Sequence, residues 1–302
     1  MFHIFTHDDL DGVGPVILCN AAKMDLSTVI YNNYESIDHN LNAFLESNEY
    51  AANDTLLITD ITPSEEMCEK LDTYHRNKIK VILLDHHKTK SWVSNYSWAT
   101  YESTSCGTRL VLQYLQPNIP DKDLYFELVE AINAWDLWKL QSNFRTRGEN
   151  LNTLLRFIGT HDFVETFSTN PTADNEKPYS LIIQYLNKNK EEYVKKVIED
   201  QLLQAAYHMD DLGNTYKILF ATDYISEVGH AALVHPDCED LKYIVIVNPT
   251  IGMCSFRSKD VDISNIAKKL GGGGHPSAAG CRIDSKSKIE RYVVSLLDRL
   301  DN

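Results

Sequence analysis

The chain has 302 residues, a formal net charge of −14, 43% hydrophobic residues and 24% charged residues. Its length suggests two domains of ordinary globular composition, and no apolar run approaches the roughly 18 residues that a membrane helix needs. The acidic balance excludes a protein that coats long nucleic acid by displacing counterions, although a short phosphorylated ligand needs only a local positive patch.

From the start of the chain, residues 2–6 read as an apolar strand, residues 13–24 as a helix after Gly12, and residues 28–32 as a β-branched and aromatic strand. A helix over 38–50, a strand over 55–59, a helix over 63–76, a strand over 79–84 and a helix over 107–115 follow. This βα rhythm predicts a mostly parallel sheet with helices on both faces, and a ligand site beyond the carboxyl ends of its strands. From residue 121 to about 206 the pattern is helical, interrupted by a polar loop at 170–178 and ending in a helix over 191–207. Strands are then expected at 215–221, 230–235, 242–247 and 252–257, with helices at 262–270 and 286–300. No basic segment with a cleavage site precedes the first strand, and the six cysteines form no CxxC pair. A cytoplasmic protein with buried thiols is the expectation.

Four short stretches carry the chemistry: His7-Asp8-Asp9-Leu10-Asp11-Gly12, Asp60 after Leu56–Thr59, Asp85-His86-His87 after a buried strand, and Asp136 between Trp135 and Trp138. Asp60 need not be spent as a helix cap, because Thr62 or Ser64 serves that purpose equally well. Three of the four lie at the carboxyl ends of predicted strands, and so converge on one edge of the sheet. Clustered acids are costly to bury unless cations compensate them. Two metal ions are the natural compensation, and the imidazoles favour manganese or zinc over magnesium or calcium alone.

The second domain offers Gly271 to Gly274, followed by His275, Pro276 and Ser277. A glycine run lets main-chain amides approach an anion, with His275 and Ser277 as side-chain donors. Arg257 ends a strand and is suited to a bidentate clamp on phosphate or carboxylate. Arg145, Arg147 and Arg156 form a candidate lining for a nucleotide-sized groove, and Lys286, Lys288 and Arg291 a solvated helix face.

Taken together, these motifs closely resemble the DHH phosphoesterase family with its C-terminal DHHA1-type domain, and look most like the nanoRNase B-type oligoribonucleases, which degrade very short RNA. The resemblance implies an α/β protein: a DHH domain over 1–190, a mostly parallel sheet with a helical extension; a linker helix over 191–210; and a smaller α/β DHHA1-type domain over 211–302, with the active site in the interdomain cleft. It implies that His7, Asp9 and Asp60 bind one Mn²⁺, and that Asp11, Asp60, His86 and Asp136 bind a second, with Mg²⁺ or Co²⁺ as alternatives. His87 would face the scissile phosphate and Asp85 would orient a neighbouring histidine. Gly272, Gly273, Gly274, His275, Ser277 and Arg257 would hold the phosphate end of the substrate. Some relatives have three residues between the first His and the first Asp of the motif where this chain has one, so Asp8 is a further candidate ligand.

The activity so implied is hydrolysis of short single-stranded RNA or DNA oligonucleotides to mononucleotides. The same metals would serve a 3′,5′-bisphosphonucleotide phosphatase or a linear dinucleotide phosphodiesterase. A metal-stabilised nucleotide sensor would call for an incomplete ligand set. Cleavage polarity, sugar preference and homodimer formation are left open by the sequence.

Overall fold

A computed structural model describes residues 1–115, 119 and 122–283. The expected helix over 286–300, with Lys286, Lys288 and Arg291, lies outside the described residues. The chain forms two compact units, residues 1–187 and 188–302.

In the first unit, β1 (Phe2–His7), α1 (Leu10–Ala21), β2 (Leu26–Asn32), α2 (Ile37–Ser47), β3 (Thr55–Thr59), α3 (Glu65–Asn77), β4 (Lys80–Asp85) and β5 (Ala99–Tyr101) succeed one another. The five strands form one sheet in the order β2-β1-β3-β4-β5, and every neighbouring pair is parallel. Strand alternation sends side chains to opposite faces. Ile4, Leu57, Ile82 and Leu84 join one apolar cluster, while Phe5, Leu56, Ile58, Val81 and Leu83 join another with Ile37, Leu41, Cys68 and Leu71 of α2 and α3. The first cluster also takes in α4 (Gly107–Leu115), α5 (Lys122–Asp136), α6 (Arg145–Ile158) and α7 (Thr160–Thr169), which make up the helical extension.

The junction of α1 and α4 illustrates how local sequence fixes packing. Pro15 lies inside α1 and has no N–H for the carbonyl of Asp11. The Thr108 hydroxyl donates to that carbonyl instead, at 2.7 Å. A Cβ on Gly14 would lie 2.1 Å from the same hydroxyl oxygen, so glycine there admits α4. Farther along, Ser64 caps α3 by accepting the Met67 amide, which leaves Asp60 for other work.

A long helix, α8 (Tyr179–Val197), continues as a π-helical turn over Ile198–Leu202. It begins earlier than the expected 191–207 helix. The second unit then contains β6 (His208–Met209), β7 (Thr215–Phe220), α9 (Ile225–Leu233), β8 (Tyr243–Asn248), β9 (Met253–Ser258), α10 (Ser264–Lys269), β10 (Gly273–His275) and β11 (Ala278–Arg282). They give a six-stranded sheet ordered β10-β11-β9-β8-β7-β6, in which only β7 and β8 run parallel among these pairs.

One expected element changes type: residues 230–235, read as a strand, are largely the end of α9. The reason is tertiary. Gly229 sits so close to the Arg257 side chain that a Cβ would lie 2.6 Å from Arg257 Cγ, while Val228, Ala232 and Leu233 are buried at spacings of one helical face.

Candidate metal centre

The carboxyl ends of β1, β3 and β4 deliver the acids and imidazoles to one place. Asp9 caps α1 through a 3.0 Å bond from the Gly12 amide to its Oδ1, while its Oδ2 lies 2.8 Å from His7 Nδ1. Gly12 is obligatory for this tight turn, since a Cβ would lie 2.0 Å from the His7 carbonyl oxygen. Asp11, in the first turn of α1, receives the Gly107 amide on Oδ2 at 2.6 Å and the Thr108 amide on Oδ1 at 2.8 Å. These buried N–H groups at the start of α4 have no partner within the helix, which makes a natural seat for an anion.

Asp60 is at the centre. It follows β3 with φ +57, a left-handed conformation that costs a non-glycine residue energy and is retained where surroundings impose it. Its Oδ1 is 3.1 Å from His86 Nε2 and its Oδ2 is 3.8 Å from His7 Nδ1. His86 Nε2 also lies 3.5 Å from Asp136 Oδ2 and 3.7 Å from Asp11 Oδ2. Two donor groups result, His7 with Asp9 and Asp60, and Asp11 with His86 and Asp136; ligand atoms within each lie within 4.8 Å of one another. Asp60 touches both. Asp8, the additional candidate, is exposed and stands 3.8 Å from His7 Nε2.

This donor set fits divalent cations. Asp60 Oδ2 and Asp136 Oδ2 are buried without a hydrogen-bond partner, an arrangement that is costly for isolated carboxylates. Burial, followed by repulsion from Asp11 and Asp9, pushes the carboxyls of both Asp60 and Asp136 well above the usual range. Burial also lowers the pKa of His86, which keeps it neutral and suited to ligation. Mixed imidazole and carboxylate donors are those expected around manganese, zinc or related ions.

His87 joins Asp60, Asp85 and His86 in a further group whose potential ligand atoms lie within 4.8 Å of one another. Its Nδ1 is 2.7 Å from Asp85 Oδ1, and Asp85 is fully buried, with Oδ1 also accepting the His86 amide and Oδ2 the Thr62 hydroxyl. Burial raises the Asp85 pKa, but the bond and charge of His87 and the Thr62 bond outweigh it, bringing the carboxyl to about 2. For His87, burial lowers the pKa, yet the Asp85 hydrogen bond and charge more than compensate, so the imidazole is raised above its ordinary value.

Several residues take roles that the sequence did not suggest for them. Arg145 Nη1 donates to the Trp135 carbonyl at 2.8 Å and the Ala134 carbonyl at 3.3 Å. Its guanidinium carbon lies 4.3 Å from the Trp135 ring centre and 4.0 Å from that of Trp138. Arg145 thus secures the end of α5 that presents Asp136. Arg147, another expected groove residue, is instead bonded to both oxygens of Asp174 and to the Pro171 carbonyl. Tyr34, in the loop after β2, places its ring centre 5.8 Å from that of His7 and 6.0 Å from that of His87.

In the second unit, Arg257 on β9 pairs with Ala278 on β11, next to Ser277 and across from the β10 residue His275, which pairs with Ala278. Its Nη1 donates to the Phe256 carbonyl and its Nη2 to Ser226 Oγ. The glycines here divide in role. A Cβ on Gly272 would lie 2.0 Å from the Gly280 carbonyl oxygen, and one on Gly274, at φ +136, would lie 2.6 Å from that of Ala278. Gly273 opens onto free space. The Gly272 amide donates to the Ala267 carbonyl at the end of α10.

Comparison with known proteins gives a consistent picture. Residues 229–301 match the DHHA1 domain family. The oligoribonuclease NrnB of Bacillus subtilis is 27% identical over 298 residues, spanning 94% of this chain and 73% of that protein. Among solved structures, the DHH domain of a protein assigned to a family of ribosomal proteins aligns with a TM-score of 0.65 at 13% identity, over 98% of this chain and 86% of its own. A pGpG-specific phosphodiesterase, PggH from Vibrio cholerae, aligns with a TM-score of 0.52 at 12% identity, over 99% of both chains. Likeness at such identities speaks for the fold. In sequence the chain is thus similar to DHH/DHHA1 phosphoesterases, to the DHHA1 domain over residues 229–301 and to an oligoribonuclease along nearly its whole length.

Proposed function

We propose that this protein is a manganese-dependent phosphodiesterase that hydrolyses short single-stranded oligonucleotides to mononucleotides. The observation that carries the proposal is the Asp60 carboxylate, whose two oxygens face the two separate donor groups, in a chain similar along its length to an oligoribonuclease. His7, Asp9 and Asp60 would hold one ion, and Asp11, Asp60, His86 and Asp136 the other. When bound, such ions lower the pKa of an attacking water and offset charge on the phosphoryl oxygens.

The protein's own groups supply the rest. His87, kept protonated towards neutral pH by Asp85, gives its proton to the departing ribose oxygen. Asp85 and Thr62 fix the orientation of that ring. Arg257, with His275, Ser277 and the Gly273–Gly274 backbone, binds the phosphate end of the substrate, while Gly272 lets that stretch lie against β11. The Arg257 guanidinium already has two of its N–H groups satisfied by Phe256 and Ser226, which orients the remainder.

The test is time-resolved product analysis in Mn²⁺ with a labelled RNA dimer, a pentamer, a long RNA and 3′,5′-bisphosphoadenosine. Rapid loss of the dimer and pentamer, with the long RNA nearly intact, is the expected result. Equal rates per molecule on long RNA and dimer would contradict the length limit. Phosphate release from the bisphosphate with inert dimers would move the activity to a nucleotide phosphatase.

A further inference from the structure

Tyr34 is not accounted for by packing. It belongs to none of the apolar clusters around the two sheets, and 52% of its surface is exposed. Yet its position is held firmly. Asn33 Oδ1 accepts the Glu35 and Ser36 amides at 2.9 and 3.0 Å, and Ser36 Oγ accepts the Asn33 amide at 3.0 Å. Just before the loop, Asn32 donates to the Ile30 carbonyl and accepts from Asn40 Nδ2 at 2.8 Å. A turn so closed by side-chain bonds projects its central residue in one direction.

That direction is the metal centre. β2 neighbours β1 in the sheet, so the loop after β2 stands beside His7 at the carboxyl edge. The Tyr34 ring is tilted 50° to His7 and lies edge-on, at 89°, to His87. A large aromatic face therefore borders both the ligand His7 and the proposed proton donor His87, in a centre otherwise made of carboxylates and imidazoles. A phosphodiester whose phosphate occupied that centre would bring the base or sugar of an adjoining nucleoside against this face.

We propose that Tyr34 is the nucleoside-binding wall of the centre, recognising an aromatic base next to the scissile phosphate by contact with its ring. This rests on the oligonucleotide reading above and adds a specificity residue to it. Base-aromatic stacking on this scale changes affinity by about 5- to 150-fold, and it uses the ring, not the hydroxyl. Substitution by phenylalanine or tryptophan preserves such a contact; substitution by alanine removes it.

The experiment is calorimetric titration of AMP and of ribose 5-phosphate into Mn²⁺-loaded protein, in the wild type and in Tyr34→Phe, Tyr34→Trp and Tyr34→Ala. Turnover of an RNA dimer and of dimers carrying one abasic residue is measured alongside, together with bound metal. The wild type, Tyr34→Phe and Tyr34→Trp are expected to bind AMP about 5- to 150-fold more tightly than ribose 5-phosphate. Tyr34→Ala is expected to close that gap and the gap between intact and abasic dimers, with metal content unchanged. Loss of the gap in Tyr34→Phe would assign the effect to the hydroxyl and overturn the proposal. So would an unaltered gap in Tyr34→Ala, an absent gap in the wild type, or loss of metal from Tyr34→Ala. A wild type that shows the gap but cleaves no RNA dimer would leave Tyr34 as the nucleoside contact and remove the oligoribonuclease reading instead.

Discussion

Asp85 and His87 are two residues apart at the end of β4, yet their side chains meet, with Oδ1 and Nδ1 2.7 Å apart. The pair lowers the pKa of the buried carboxylate and raises that of the imidazole. Asp85→Asn is expected to reduce turnover of an RNA dimer by about 10- to 100-fold, as for other residues that orient a reactive histidine. The sign of the pH effect follows from the shift. A raised His87 pKa extends the protonated, proton-donating form to higher pH. Removing Asp85 lowers that pKa, so the alkaline limb of the kcat profile moves to lower pH. An unmoved limb in the pH–rate profile would argue against His87 as the acid.

Metal removal links the centre to stability. Asp60 and Asp136 have folded-state pKa values raised above the ordinary 3.8. Their contribution is therefore fully present below that value and is lost as pH rises through the folded values. In EDTA, the melting temperature is expected to fall between pH 5 and pH 8, and Mn²⁺ to restore more of it at pH 8. The histidines His7 and His87, also raised, act in the same direction. Asp136→Asn separates the terms: differential scanning calorimetry of this variant in EDTA is expected to give a shallower pH slope.

Arg145 supports Asp136 without belonging to the donor set. Arg145→Ala removes the bonds to the Ala134 and Trp135 carbonyls and the contacts with both tryptophans. A destabilisation of about 1–3 kcal/mol is expected, with weaker metal retention. Denaturant unfolding and metal analysis after dialysis check the two effects. Arg145→Lys is expected to rescue little, because an ammonium does not reproduce the planar stack.

Arg257→Ala is expected to lower kcat/KM for an RNA dimer by about 10- to 100-fold through the loss of charge-assisted bonds to phosphate. Metal content is expected to stay at the wild-type level. Steady-state kinetics with metal analysis on the same samples would detect a variant that loses activity only because it loses its ions.

The strand ends of the first unit were legible because β1, β3 and β4 are buried apolar runs that stop abruptly at His7, Asp60 and Asp85. A chain pattern of that kind is local. What brings Asp11 to the α4 amides, or Arg145 between two tryptophans, is contact between residues far apart in sequence, and no spacing announces it. The α9 segment misled for the same reason, since its close approach to Arg257 is visible only once β9 is in place. β10 escaped because a glycine run has no side-chain alternation to betray a strand, and β11 because its Ala-Ala-Gly start carries side chains too small to mark one. Tyr34 lies in a loop whose aim is set by asparagine bonds, and Arg147 resembles a groove lining in sequence although Asp174 holds it in the fold.

Asp11 has one further consequence. Each of its oxygens already accepts a backbone amide from the start of α4, so it has fewer lone pairs left for an ion and is poorly placed to clasp one with both oxygens. Calcium gathers about six to eight oxygens, often by chelation from both arms of a carboxylate, whereas smaller divalent ions accept fewer donors at fixed directions. In the proposed centre, the peptide groups of a neighbouring helix would thereby disfavour calcium relative to smaller divalent ions.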